Sequence, residues 1–316
     1  MPTYSPFHIT FVAIMLSGLT ACGDKPPASP NLDRNNLMQL VFPTWRPADN
    51  QHRVSVTAAW APEGPLGDKE SKDPTAVSLD IEPIHVVRLS PARAVMLTAA
   101  TAVMADGELM DSHASSGLIG AYWFKEEDGK WYPDGRQDEA AWNGFMGNVG
   151  EMTIVKLDPA KFGLMVEAGS CWQGYCGNWG NLFALEERQV TSLLEHSIPL
   201  FANNEGAVES CSALLNVKPG QVVKRTEEQE SRNTCYRVET KWQFKPRKNG
   251  MADLMLNFDG EEERRRVVHV EETEEPDGNE AYQVELSVEN VTGKQVYRFR
   301  NGHYVSVSGK NLVPEF

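Results

Sequence analysis

Residues 236–244 read Tyr-Arg-Val-Glu-Thr-Lys-Trp-Gln-Phe. Tyr236, Val238, Thr240, Trp242 and Phe244 alternate with Arg237, Glu239, Lys241 and Gln243. That is the period of two of a strand with one face buried and one in water. Leu254, Leu256 and Phe258 repeat the pattern, and so do Tyr282, Val284, Leu286 and Val288. Asn290-Val-Thr-Gly293 then reads as a turn, followed by a strand from Val296 to Phe299. Asn301-Gly302 is a hairpin signal, because both positions tolerate positive φ, and Tyr304 to Val307 returns. Thr234 to Ser308 is thus expected to form an antiparallel meander.

Working backwards, Arg93–Val103, Leu118–Lys125, Met152–Leu157, Phe162–Glu167 and Leu182–Leu185 are apolar or β-branched runs separated by turn residues. Asp128-Gly129 predicts a hairpin, and Asp134-Gly135 a second turn directly after it. Leu185–His196 fits a short helix or a strand–turn–strand equally well. The fold class is mainly β, with antiparallel sheets arranged as a sandwich, barrel or propeller-like body and little helix.

The chain has 316 residues, room for one large or two medium domains. Its only long apolar stretch lies at the N-terminus, which excludes a multi-pass membrane protein. Up to Leu215 there are 14 Lys and Arg against 26 Asp and Glu, a net of −12. From Asn216 onward there are 16 against 18, a net of −2, which completes the −14 of the chain. This acidity argues against a nucleic-acid partner, since phosphate binding needs clustered cations. The shift suggests an acidic, aromatic-rich β domain over 37–215 and a meander over 216–316, either as separate domains or packed as one body.

Phe7 to Leu19 is an apolar core of signal-peptide length, too short to span a bilayer comfortably. Leu19-Thr20-Ala21-Cys22 follows, and this resembles the lipobox of bacterial lipoproteins. The resemblance covers the first 22 residues. It implies removal of a signal peptide at 1–21, acylation of Cys22 and anchoring to a bacterial membrane on its periplasmic face. Gly23 rather than Asp after the Cys implies sorting to the outer membrane. Gly23 to Asn36 carries three prolines and no large apolar cluster, so 22–36 is expected to be a lipidated Cys and a semi-rigid tether.

With Cys22 set aside, Cys171, Cys176, Cys211 and Cys235 remain. An even number in an exported protein suggests two disulfides, and four cysteines allow three connectivities. The favoured pairing is Cys171–Cys176 and Cys211–Cys235, because a turn at Gly174 would bring the first two together. C-x4-C without a neighbouring His is poor zinc spacing, so no metal or cofactor is expected.

No catalytic motif stands out. There is no G-x-S-x-G, H-E-x-x-H or Walker loop. Asp111, Ser112, His113 and Ser115 supply triad residue types within one loop, but a triad is a matter of spatial geometry. Met104 to Asp111 carries oxygen ligands for Ca²⁺ without EF-hand spacing. The local concentration that does stand out is aromatic: Trp123, Trp131, Trp142, Trp172 and Trp179, with Tyr122, Tyr132, Phe145 and Tyr175 among them. Such rings either fill a β core or form a platform for a sugar or protein partner. Trp172 and Tyr175 are the expected exposed pair, with Trp179 and Trp142 as further contacts.

Three functions fit. The first is a non-enzymatic, lipid-anchored binding protein, a class that includes inhibitors of cell-wall hydrolases and immunity proteins against toxins, with a basic protein or a glycan as partner. The second is an envelope hydrolase acting on wall or glycan through unrecognised carboxylates. The third is a structural lipoprotein.

Overall fold

The computed structural model describes residues 26–48, 52–58, 75–207, 211, 222–224, 234–271 and 281–315. The signal peptide, Cys22 and Asn216 lie outside the described residues. One α-helix, α1 (Arg34–Val41), precedes five strands: β1 (Arg53–Ala58), β2 (Thr75–Ser90), β3 (Arg93–Val103), β4 (Gly117–Glu127) and β5 (Lys130–Asn143). These form one antiparallel sheet in chain order. The second sheet holds β6 (Glu151–Asp158), β7 (Lys161–Trp172), β8 (Tyr175–Leu185), β9 (Val190–Ser192), β10 (Ile198–Asn203) and β11 (Val222–Lys224). It also holds β12 (Tyr236–Lys245), β13 (Asp253–Glu271), β14 (Ala281–Asn290), β15 (Gly293–Arg300) and β16 (His303–Ser308). Its main order is β11-β14-β13-β12-β10-β8-β7-β6. The division drawn near Asn216 therefore has strands of one sheet on both sides, since β10 pairs with β12.

The two sheets face one another across a shared core. Val95, Leu97, Ile119, Ala121 and Trp123 of the first sheet meet Leu164, Val166, Phe183 and Leu185 of the second. The alternate residues of the same strands serve two other cores. Met96, Leu118, Tyr122 and Phe124 pack on Leu37 and Met38 of the helix. Met165, Leu182 and Ala184 pack on Val238, Leu254 and Leu256. This explains why β3, β4, β7 and β8 read as continuous apolar runs: both of their faces are dry. β12 and the first half of β13 bury one face, which keeps their alternation clean. Both sheets curl. β1 approaches β5, and Ala252 donates to the Leu157 carbonyl at 2.7 Å, bringing the β12–β13 turn to β6.

Three local expectations change, and the open reading of 185–196 is decided. First, the chain does not reverse at Asn290–Gly293. Glu261 faces Asn290 and Phe258 faces Gly293 in one unbroken register, so β14 and β15 continue in line along the same edge of β13. Val291 still donates to the Gly260 carbonyl at 2.8 Å across the gap. The 19 residues of β13 offer an edge long enough for both. Second, Asp134-Gly135 is a bulge inside β5. Phe124 pairs with Pro133 and Trp123 with Gly135, which leaves Asp134 over. The bulge turns its carboxylate onto Arg93 and Arg188, at 2.7 and 2.9 Å. Third, 185–196 is strand–turn–strand, closed by Glu186 donating to the Gln189 carbonyl at 2.9 Å. Fourth, the tether expected over 22–36 is folded onto the body from Pro26 onward. Ser29 exchanges backbone bonds with Trp131. Asp33 caps α1 by accepting from the Asn35 and Asn36 amides at 3.1 and 3.0 Å.

The Asp128-Gly129 and Asn301-Gly302 turns are present, each with both residues at positive φ. The disulfides join Cys171 to Cys176 and Cys211 to Cys235, with Cα separations of 4.0 and 5.3 Å. A thiol assay on the denatured, unreduced body is expected to find none of these four free; two free thiols would remove the pairing. Losing a native bridge typically costs about 2–5 kcal/mol in a small secreted domain. The larger loss is expected at Cys211–Cys235, whose two residues are fully buried.

A candidate partner-binding edge

The β7–β8 hairpin closes with Gln173-Gly174, at φ 49° and 86°, the signature of a type I′ turn. Trp172 faces Tyr175 across the tip, and Cys171 faces Cys176 one pair below. A second brace lies outside the hairpin. A Cβ on Gly174 would fall 2.1 Å from the Ala207 amide nitrogen, so only glycine lets the tip seat on the Asn204–Ala207 turn. On this braced tip Trp172 stands 60% exposed. Its ring leans on His113, with centroids 4.9 Å apart, and His113 Nε2 lies 3.1 Å from Ser170 Oγ. The indole is thus held from one side and open on the other.

The neighbouring loops are locked to each other. The Gly147 amide donates to the Ser115 carbonyl at 2.8 Å, and Thr101 Oγ1 donates to the Gly147 carbonyl at 2.8 Å. Phe145 and Asn148 exchange backbone bonds around a Met146-Gly147 turn with φ 52° and 70°. Met146 occupies a left-handed position usually given to Asn or Gly, which costs of order 1 kcal/mol, and it exposes 53% of its surface. Leu109 and Met104 add further exposed apolar surface. Asp106, Glu108 and Asp111 are exposed on the same loop, and residues 104–116 contain no Lys or Arg. A groove of about 440 Å³ runs beside them, lined by Leu109, Gly147, Met152, Asp80 and Glu82 among others. His52 Nδ1 sits 3.2 Å from Glu82 and 3.9 Å from Asp80.

The other sequence candidates separate. Tyr175 is half-buried opposite Trp172. Trp179 is half-buried and meets Phe145 at 5.7 Å, on the segment that leads into the Met146 turn. Trp142 packs against the helix-side core and donates to Glu139 Oε1 at 2.6 Å. Trp123 and Trp131 are buried. Met146, Leu109 and the groove had no sequence reading; the one legible signal is Met146-Gly147, which matches Gln173-Gly174 in form.

No family model, curated protein or solved structure matches this chain.

For chemistry, the triad residue types do not assemble within their loop. Ser112 and Ser115 bond each other at 2.6 Å, and His113 turns to Ser170 instead. The Asp106 carboxylate closes its own turn by accepting from the Glu108 amide at 3.1 Å. Among the described residues, no three His, Cys, Asp or Glu side chains group to hold a metal ion. One carboxylate pair is notable. Glu151 and Glu167 are directly opposed on β6 and β7. Burial holds the Glu167 carboxyl above the ordinary range and the Glu151 charge adds to it, while the bond from Trp242 Nε1, at 2.8 Å, opposes the shift.

Proposed function

We propose that this chain is a lipid-anchored protein of the bacterial envelope that binds a basic protein partner without catalysis, as an inhibitor or immunity protein does. The observation that carries the reading is the exposed Trp172 on a doubly braced hairpin tip. A large apolar ring fixed in one pose loses little entropy on binding and suits the centre of an interface. Met146 and Leu109 extend the apolar surface, and Asp106, Glu108 and Asp111 supply the charge that would steer a cationic partner. The test is capture from envelope extract on the immobilised body, starting at residue 23. A basic protein retained at low salt, released by added salt and lost with Trp172→Ala supports the reading. An acidic or neutral partner whose affinity ignores salt overturns it.

The anchor has its own test. Mass spectrometry of the N-terminal peptide is expected to show acylated Cys22, and Cys22→Ala is expected to abolish both acylation and signal cleavage. An unmodified mature N-terminus elsewhere removes the lipoprotein reading. Each buried CH₂ of the lipid contributes roughly 0.8 kcal/mol, so several chains hold firmly.

The second reading, a hydrolase acting on wall glycan, draws support from the Glu151–Glu167 pair. Opposed carboxylates, one of them with its pKa raised by burial, are the parts of a glycosidase. Loss of wall-degrading turnover in Glu167→Gln, with the fold intact, would favour it over the binder.

A further inference from the structure

We infer that the β4–β5 hairpin end of the body faces the membrane and that the partner is met at the opposite end, approaching from the aqueous compartment. This rests on the lipid-anchor reading of Cys22. The fixed point is Ser29, whose amide donates to the Trp131 carbonyl at 2.9 Å and whose carbonyl accepts from the Trp131 amide at 2.8 Å. Trp131 stands just past the Asp128-Gly129 turn. Pro26 and Pro27 line a shallow depression with Lys125, Tyr132 and Pro133 at that same tip. From Cys22 to Ser29 the chain can reach at most about 25 Å, at roughly 3.6 Å per residue. The acylated residue is thereby tied to the hairpin end.

The two ends of the body are well separated. β4 runs away from that hairpin for 11 residues to Gly117, a length of about 36 Å at 3.3 Å per residue. β7 and β8 are aligned with it. At the hairpin end, Trp123 Nε1 donates to the Glu186 carbonyl at 2.8 Å, beside the close of β8. At the far end, His113 meets Ser170 and Trp172. Trp172, Met146 and Leu109 therefore lie at the end remote from the tether.

Charge favours an upright stance over a recumbent one. At the hairpin end cations stand among the carboxylates: Lys125 pairs with Glu127 at 2.7 Å, Arg93 and Arg188 both pair with Asp134, and exposed Lys130 lies beside Glu126 and Asp128. At the far end Asp106, Glu108 and Asp111 are exposed. Arg53 reaches that loop but bonds the Gly107 carbonyl, at 2.8 Å, and no carboxylate there. An anionic headgroup layer repels the far end and tolerates the near one.

The test uses the full-length acylated protein in vesicles of phosphatidylethanolamine and phosphatidylglycerol that carry a headgroup quencher. A fluorescent amino acid replaces exposed Lys130 in one sample and exposed Ala114 in another. The label at Lys130 is expected to be quenched severalfold more than the label at Ala114. A second pair, at Glu127 and Asp111, should keep the same order and guards against one variant misfolding. Equal or inverted quenching with Cys22 acylated, read by mass spectrometry of the same sample, overturns the orientation and leaves the anchor standing. An unacylated Cys22 removes both.

Discussion

Replacing Trp172 by Ala is expected to leave the body's stability within about 0.5 kcal/mol of wild type, as for a surface change away from special features. The same change is expected to weaken the partner complex by about 2 kcal/mol or more, near 30-fold, mostly as faster dissociation. The physical reason is the division of labour at the tip. The disulfide below it and the Gly174–Gly206 contact beside it hold the backbone without help from the indole. The ring itself touches His113 on one side and is 60% exposed, so most of its surface is still free to be buried in the proposed complex. Neutralising Asp106, Glu108 and Asp111 together should instead slow association and flatten its salt dependence, because screening acts over about 8 Å at physiological ionic strength. Chemical denaturation and surface-bound kinetics on the same samples separate the two effects. A Trp172→Ala body that unfolds, or that binds its partner unchanged, would defeat the assignment.

Trp123→Ala is expected to behave in the opposite way. Trp123 is 1% exposed in the core shared by the two sheets. It pairs with Gly135 at the β5 bulge. Its Nε1 satisfies the Glu186 carbonyl at 2.8 Å. Truncation opens a cavity between rigid sheets that cannot collapse onto it, for a loss of about 3–5 kcal/mol, and it also strips the Glu186 carbonyl of a partner. The expected readout is a lower denaturation midpoint at unchanged slope, with the disulfides still intact. A loss under about 1 kcal/mol would mean that the two sheets do not rely on this contact.

These two tryptophans show where the sequence could be read and where it could not. Trp123 and Trp172 each flank a turn signal in the same aromatic-rich stretch; the disulfide-held hairpin tip marks Trp172 as exposed, whereas nothing local to Trp123 shows that it is buried. Period two at Tyr236–Phe244 was legible because one face of that strand stays wet. The Asp128-Gly129 and Asn301-Gly302 hairpins were legible because few residue pairs tolerate two positive φ angles in succession. The Cys171–Cys176 bridge followed from the same local geometry. Asn290–Gly293 misled because its chemistry permits a turn that β13, running alongside, overrides with a continuous register. Asp134-Gly135 misled in the same way, since a bulge and a turn use the same residues. Helix α1 escaped notice because only Leu37 and Met38 of its residues are buried, too few for a helical stripe. β1 and β2 had no reading either.

The sequence by itself determined the β character, the two glycine hairpins, the Cys171–Cys176 bridge across the Gly174 turn and the acidic excess before Asn216. All of these depend on residues near one another in the chain, or on simple counts. Tertiary structure alone decided that Tyr175 is half-buried while Trp172 opposite it stays exposed, that His113 joins Ser170 rather than its neighbouring serines, and that Met146 and Leu109 share an edge with Trp172. It also decided that Glu151 opposes Glu167 and that Ser29 pairs with Trp131 beside the β4–β5 turn, at the end remote from that edge. Each of these depends on strand register and on which loops converge at one end of a sheet, and register is set by the packing of distant segments rather than by local preference.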